Sequence, residues 1–86
     1  MTAEAMLSHA ADILVERSKR TYGDPRQSMA SIAARWSITL SHPVTPAQVV
    51  LCLMDLKLAR LQCDPAHRDS MVDLMGYATI LHEVTR

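Results

Sequence analysis

Phenylalanine is absent from the 86 residues, and the remaining aromatics are one Trp and two Tyr. Sheet interiors draw heavily on aromatic and β-branched side chains, so the interior falls to Ala, Leu, Met and Val, which suits helices better. Glycine occurs only twice, and there is no glycine-rich phosphate loop and no nucleophile elbow. Net charge is also missing: nine Lys and Arg balance nine Asp and Glu. No overall field therefore draws in nucleic acid or an anionic membrane. No run approaches the ~18–20 apolar residues of a membrane span. The N-terminus lacks the basic region and apolar core of a signal peptide. The two cysteines, Cys52 and Cys63, would lie about 16 Å apart on one helix, too far to bridge. Free, buried thiols in a reducing cytosol are the expectation. His9, His42, His67 and His82 are scattered, with no metal-ligand spacing among them, so no zinc site is expected.

What is present is punctuation. Thr2 caps a first helix running to about Arg20, with Ala3, Met6, Leu7, Ala10, Ile13 and Leu14 on its apolar face and Arg17 among them. Gly23 then breaks the chain, and Asp24-Pro25 opens a second helix. That helix places Met29, Ile32, Ala33, Trp36 and Leu40 on one face, with Trp36 as core anchor. Thr45-Pro46 and Asp64-Pro65 repeat the cap-and-proline signal, which predicts four helices. At 86 residues, one domain is expected, spanning residues 1–86: an all-α, four-helix, bundle-like unit.

The third helix, Thr45 to Gln62, is apolar around most of its circumference and is therefore expected to be central. Gln48, Asp55, Ala59 and Gln62 share its wet edge. Lys57 and Arg60 project the other way, toward Val49, Val50, Leu53 and Leu56. The last helix starts between Pro65 and Ser70 and runs to about Val84. Its core stripe is Met71, Leu74, Met75, Ala78 and Leu81. Its opposite face carries Asp69, Asp73, Gly76, Tyr77, Ile80 and Val84, a composition that predicts contact with another helix, a second subunit or a ligand.

Unpaired charges are too costly to bury. Arg17, Lys57 and Arg60 are therefore expected to meet Asp69 and Asp73, joined by Asp24 and Tyr22. A Lys57–Asp73 or Arg60–Asp69 pair is the expected geometry. Such a set is either a structural ion network or a phosphate- or metal-binding pocket. Residues 33–39 followed by Thr45-Pro-Ala-Gln48 look like a helix-turn-helix, but the second helix opens with Ala-Gln-Val-Val-Leu, which has almost nothing to reach bases or phosphates. Nucleic acid is not an expected partner.

The segments Ile13-Leu-Val-Glu-Arg17, Tyr22-Gly-Asp-Pro25, Ala34-Arg-Trp36, Lys57-Leu-Ala-Arg60 and Asp69 through Ala78 resemble a small phage- and prophage-encoded family across nearly the whole chain. That resemblance implies the cytoplasm of a bacterial host and an accessory role: binding a host or phage protein, or a nucleotide without turnover. The Lys57-x-x-Arg60 and Asp69-x-x-x-Asp73-x-x-Gly76-Tyr77 segments also resemble the MazG-like all-α nucleotide pyrophosphohydrolases. Those enzymes are helical, usually dimeric and magnesium-dependent, with acidic pairs on two facing helices. By that resemblance Asp69 and Asp73 would hold Mg²⁺, while Arg17, Lys57 and Arg60 would hold phosphates. Lys57 and Arg60 stand where the second acidic pair is wanted, which leaves Glu16 or Asp24 of a dimer mate to supply it. A homodimer through Asp69, Gly76, Tyr77 and Ile80 together with the first helix is expected in either case.

Overall fold

Helix starts are set by side chains that satisfy the orphan N–H groups of a first turn. The computed structural model describes residues 1–20 and 23–86. Helix α1 spans Ala3–Ser18, α2 Pro25–Thr39, α3 Pro46–Cys63 and α4 Arg68–Thr85, and no strand occurs among the described residues. Thr2 Oγ1 accepts from Ala5 N at 3.1 Å, and Asp24 Oδ1 accepts from Arg26 N at 3.0 Å ahead of Pro25. At α3 the capping box is complete. Thr45 Oγ1 accepts from Gln48 N at 3.1 Å, and Gln48 Oε1 accepts from Thr45 N at 2.9 Å.

The fourth helix starts at Arg68, inside the expected Pro65–Ser70 window, but Asp64-Pro65 is not its opening signal. Asp64 still belongs to α3, donating its N–H to Arg60 O at 2.9 Å. Its carboxylate accepts from Ala66 N at 3.2 Å, closing a turn. The next helix begins only after His67, whose Nδ1 accepts from Ser70 N at 3.3 Å. Ser70 is fully buried, with Oγ 2.7 Å from the same nitrogen. Between α2 and α3, Ser41 takes a left-handed φ of 52°. Ser37 Oγ bridges that turn, donating to Ala33 O at 2.7 Å and accepting from Val44 N at 2.9 Å.

The central core consists of Met29 and Ala33 from α2 with Val49 and Val50 from α3. Ile32, Trp36, Leu53 and Met54 pack around it, with Tyr77, Ile80 and Leu81 closing it from α4. Leu40 stays outside at 62% exposure, because it follows the last turn of α2 as its C-cap. Helix α3 supplies the deepest side chains, yet it is not enclosed on all sides. It packs against α2 and α4 only, and α4 is the element that touches all three others. Leu51, Leu56 and Leu58 of α3 are consequently 48%, 62% and 50% exposed. Cys52 and Cys63 are free thiols but lie on the surface, on the side of α3 that no helix covers. Among the described residues, no helix is long and apolar enough to cross a membrane.

Candidate functional site

At 100° per residue, Lys57 falls in the middle of the buried arc of α3, between Val50 and Leu53. Its ammonium ends 3.0 Å from Asp73 Oδ2 of α4. The other Asp73 oxygen, Oδ1, accepts from Arg17 Nη1 of α1 at 2.6 Å. Arg17 Nη2 also lies 3.6 Å from Asp69 Oδ1, one turn earlier on α4. Three helices thus converge on one carboxylate.

The cluster has a dry end and a wet end. The Lys57 and Asp73 side chains are only 16% and 17% exposed, whereas Arg17 and Asp69 are 43% and 65% exposed. Burial by itself pushes the Asp73 carboxyl up, but the hydrogen bonds from Arg17 and Lys57 and their positive charges outweigh it. The group is held below its ordinary value. Every long-range pair here uses an ionised partner, the stronger kind of hydrogen bond.

One turn beyond Asp73, α1 and α4 come into close approach at Gly76. A methyl group there would lie 2.8 Å from Leu14 Cδ2, so any side chain at this position would displace the end of the Leu14 side chain. Arg17 meets Asp73 and Leu14 meets Gly76, a constant antiparallel register in which each pair steps by three residues. The contact expected of the Gly76 face is therefore made, in part, by α1 of the same chain. Beside it lies a cavity of about 600 Å³ bordered by Leu14, Arg17, Asp73, Tyr77 and Ile80. Tyr77 and Ile80 also pack onto the core.

Arg60 does not join the cluster. It is exposed in the last turn of α3 and makes no ion pair among the described residues. Its long side chain reaches water, and its charge suits the helix C-terminus. Asp69 turns to Arg17 instead. Leu56, expected in the same stripe, is 62% exposed because neither α2 nor α4 covers that edge. Asp24 is engaged as the cap of α2, and Tyr22 lies outside the described residues. Sequence reasoning missed two features. One was the Leu14–Gly76 contact, which the matched i, i+3 spacings in α1 and α4 foreshadow. The other was His67 as a helix cap, since histidine is not among the usual capping residues.

A magnesium ion needs near-octahedral oxygen coordination from carboxylates and water. Both oxygens of Asp73 are already taken by cations, and Asp69 shares Arg17. Glu16, the notional third donor, lies 3.3 Å from Lys19. No group of three or more His, Cys, Asp or Glu suited to a metal ion occurs among the described residues. The donor set does not fit the ion.

A family model described as a domain of unknown function (DUF6378) matches residues 5–85. The chain belongs to that family. Among curated relatives of this DUF6378 chain are the Gene 55 proteins of two mycobacteriophages. The one from Mycobacterium phage L5 is 30% identical over 81 residues, covering 93% of this chain and 52% of that protein. The one from Mycobacterium phage D29 is 28% identical over 82 residues, covering 95% of this chain and 54% of that protein. The chain thus spans about half the length of these relatives. No solved structure matches it. The resemblance to a small phage-encoded family is established by these matches; they do not touch the MazG-like resemblance.

Proposed function

We propose that this DUF6378 domain is a phage accessory protein that acts by binding a host or phage protein, without turning over a substrate. One observation carries the reading. Asp73, the best-placed carboxylate for a hydrolase, is neutralised by Arg17 and Lys57 across three helices. A group held this way fastens helices together, and with a cation already against each of its oxygens it is poorly placed to take a further cation such as a metal ion holding a nucleotide. What remains for function is surface, and Leu51, Leu56 and Leu58 of α3 offer apolar side chains to solvent.

A second reading rests on the cavity between α1 and α4. At about 600 Å³ it falls within the size range of small-molecule sites, and Tyr77 and Arg17 on its wall suit an aromatic base and an anion. A magnesium-dependent nucleoside triphosphate pyrophosphohydrolase would use this space, and so would a protein that binds a nucleotide without cleaving it. Incubation with a nucleotide panel plus Mg²⁺ or Mn²⁺, with pyrophosphate release and thermal shift as readouts, separates the readings. Neither pyrophosphate nor a thermal shift is expected. A shift without release would assign the cavity to nucleotide binding, and release abolished by Asp73→Asn would establish the hydrolase.

A further inference from the structure

Helix α1 is held to the rest of the chain on one side only, against α4. Its buried arc is narrow, with Ala10 alone fully covered and Met6, Ile13 and Leu14 partly so. Flanking that arc, Leu7 is 60% exposed and Val15 56% exposed, with exposed Ala11 midway between them. These three residues are spaced by four, so they form one continuous stripe along the helix. The stripe is symmetric about Ala11: a large apolar residue stands four positions to either side, and a small one at the centre allows close approach.

The charges are arranged with the opposite symmetry. Glu4 lies in the first turn of α1, while Lys19 and Arg20 follow its C-terminal end. Laid antiparallel on an identical helix about Ala11, the stripe brings Leu7 against Val15 of the partner subunit and Ala11 against Ala11 of the partner subunit. The same register sets Glu4 near Lys19 of the partner subunit, opposite charges at both ends. Lys19 at present faces only Glu16 on its own helix, at 3.3 Å in an exposed pair. Such a pair is worth little, so exchange for an intersubunit partner costs little.

From this self-complementarity we infer that the outer face of α1 is the seam of a homodimer, two copies of α1 packing antiparallel about Ala11. This is a two-fold contact in which each apolar residue meets its counterpart. The more apolar outer side of α3 does not serve the same purpose. An antiparallel pairing of Leu51 with Leu58 of the partner subunit sets Asp55 against Asp55 of the partner subunit, like charges at the centre of the seam. A 16-residue helix is about 24 Å long, so the contact belongs at the small end of specific interfaces. The dimer is therefore weak and concentration-dependent.

Sedimentation over a wide concentration range tests this, with circular dichroism confirming that each variant stays folded. The wild-type chain is expected to move from monomer to dimer as concentration rises. Leu7→Asp with Val15→Asp abolishes the transition, whereas Leu51→Asp with Leu58→Asp leaves it in place. Lys19→Glu weakens association, and adding Glu4→Lys restores it. In a background of Cys52→Ser and Cys63→Ser, Ala11→Cys captures the dimer as a disulfide on mild oxidation. A monomer at every concentration overturns the inference, as does a dimer that survives the α1 variants or is lost only with the α3 variants.

Discussion

Helices α1 and α3 both lie against α4, but they are held by different physics. Helix α3 inserts Val49 and Val50, each with no exposed surface, into a core shared with α2. That burial is non-directional and scales with the apolar area removed from water. Helix α1 buries one alanine fully and is held by directional contacts instead: Arg17 on Asp73 and Asp69, and Leu14 on Gly76. A helix held by few apolar contacts sits at the low-stability end of a molecule and opens independently of the core. Asp73 connects the two regimes, because the same carboxylate binds Lys57 on α3 and Arg17 on α1.

The sharpest way to break this contrast is to remove the shared carboxylate. Asp73→Ala strands the Lys57 ammonium, which is only 16% exposed, and releases Arg17. Breaking a fully buried pair costs 3–5 kcal/mol, and partial solvation here reduces that to about 2–3 kcal/mol. Urea denaturation measures the loss, and a loss of only a few tenths would show the cluster to be solvated and inert.

The same group makes stability depend on acid. Its carboxyl is held below the ordinary value in the folded chain. Its contribution is therefore complete above the unfolded value of about 3.9 and is lost as pH falls through the lower folded value. Melting temperatures recorded from neutral pH down through pH ~4 and below should fall less steeply for Asp73→Asn than for the wild type. Parallel curves would contradict the assignment.

A smaller and more local effect is expected at Gly76. Leucine there gains about 1 kcal/mol of helix propensity over glycine, but its side chain occupies the place of Leu14. Hydrogen exchange should show α1 amides losing protection while Val49, Val50 and their neighbours keep theirs. Uniform loss along the chain would mean that α1 and the core open as one unit. Smallest is Thr45→Ala, which removes one half of the α3 capping box and should cost about 1 kcal/mol, spread over the core helices.

Much of this was legible from residue order. Thr2, Asp24-Pro25 and Thr45-Pro46 announce three helix starts because capping chemistry is local, satisfied within three residues of the cap. The fourth start falls at Arg68, inside the expected Pro65–Ser70 window, but Asp64-Pro65 does not itself open the helix, because Asp64 caps the end of α3, a constraint on the turn that local patterning does not show. Periodicity picked out Lys57 as an inward cation, since one residue at the centre of an apolar arc has nowhere else to point. Leu56 sits at the edge of that arc and Arg60 in the last turn of α3, and in both places exposure depends on how far the covering helices reach, a tertiary property. The cysteines failed for the same reason: apolar neighbours along α3 did not imply a covering helix. The Lys57–Asp73 pair followed from the cost of stranding buried charge, but the arrival of Arg17 on the same carboxylate depended on α1 lying on α4.

The central claim is that Asp73 joins α1 to the core as a structural counter-ion and does not serve as a metal ligand. Thermal unfolding of the wild type and Asp73→Asn, with and without millimolar Mg²⁺, tests it most directly. The expected result is a lower Tm for the variant by the same amount in both conditions, with no effect of Mg²⁺ on either protein. A wild-type Tm raised by Mg²⁺, with the rise absent in Asp73→Asn, would contradict it.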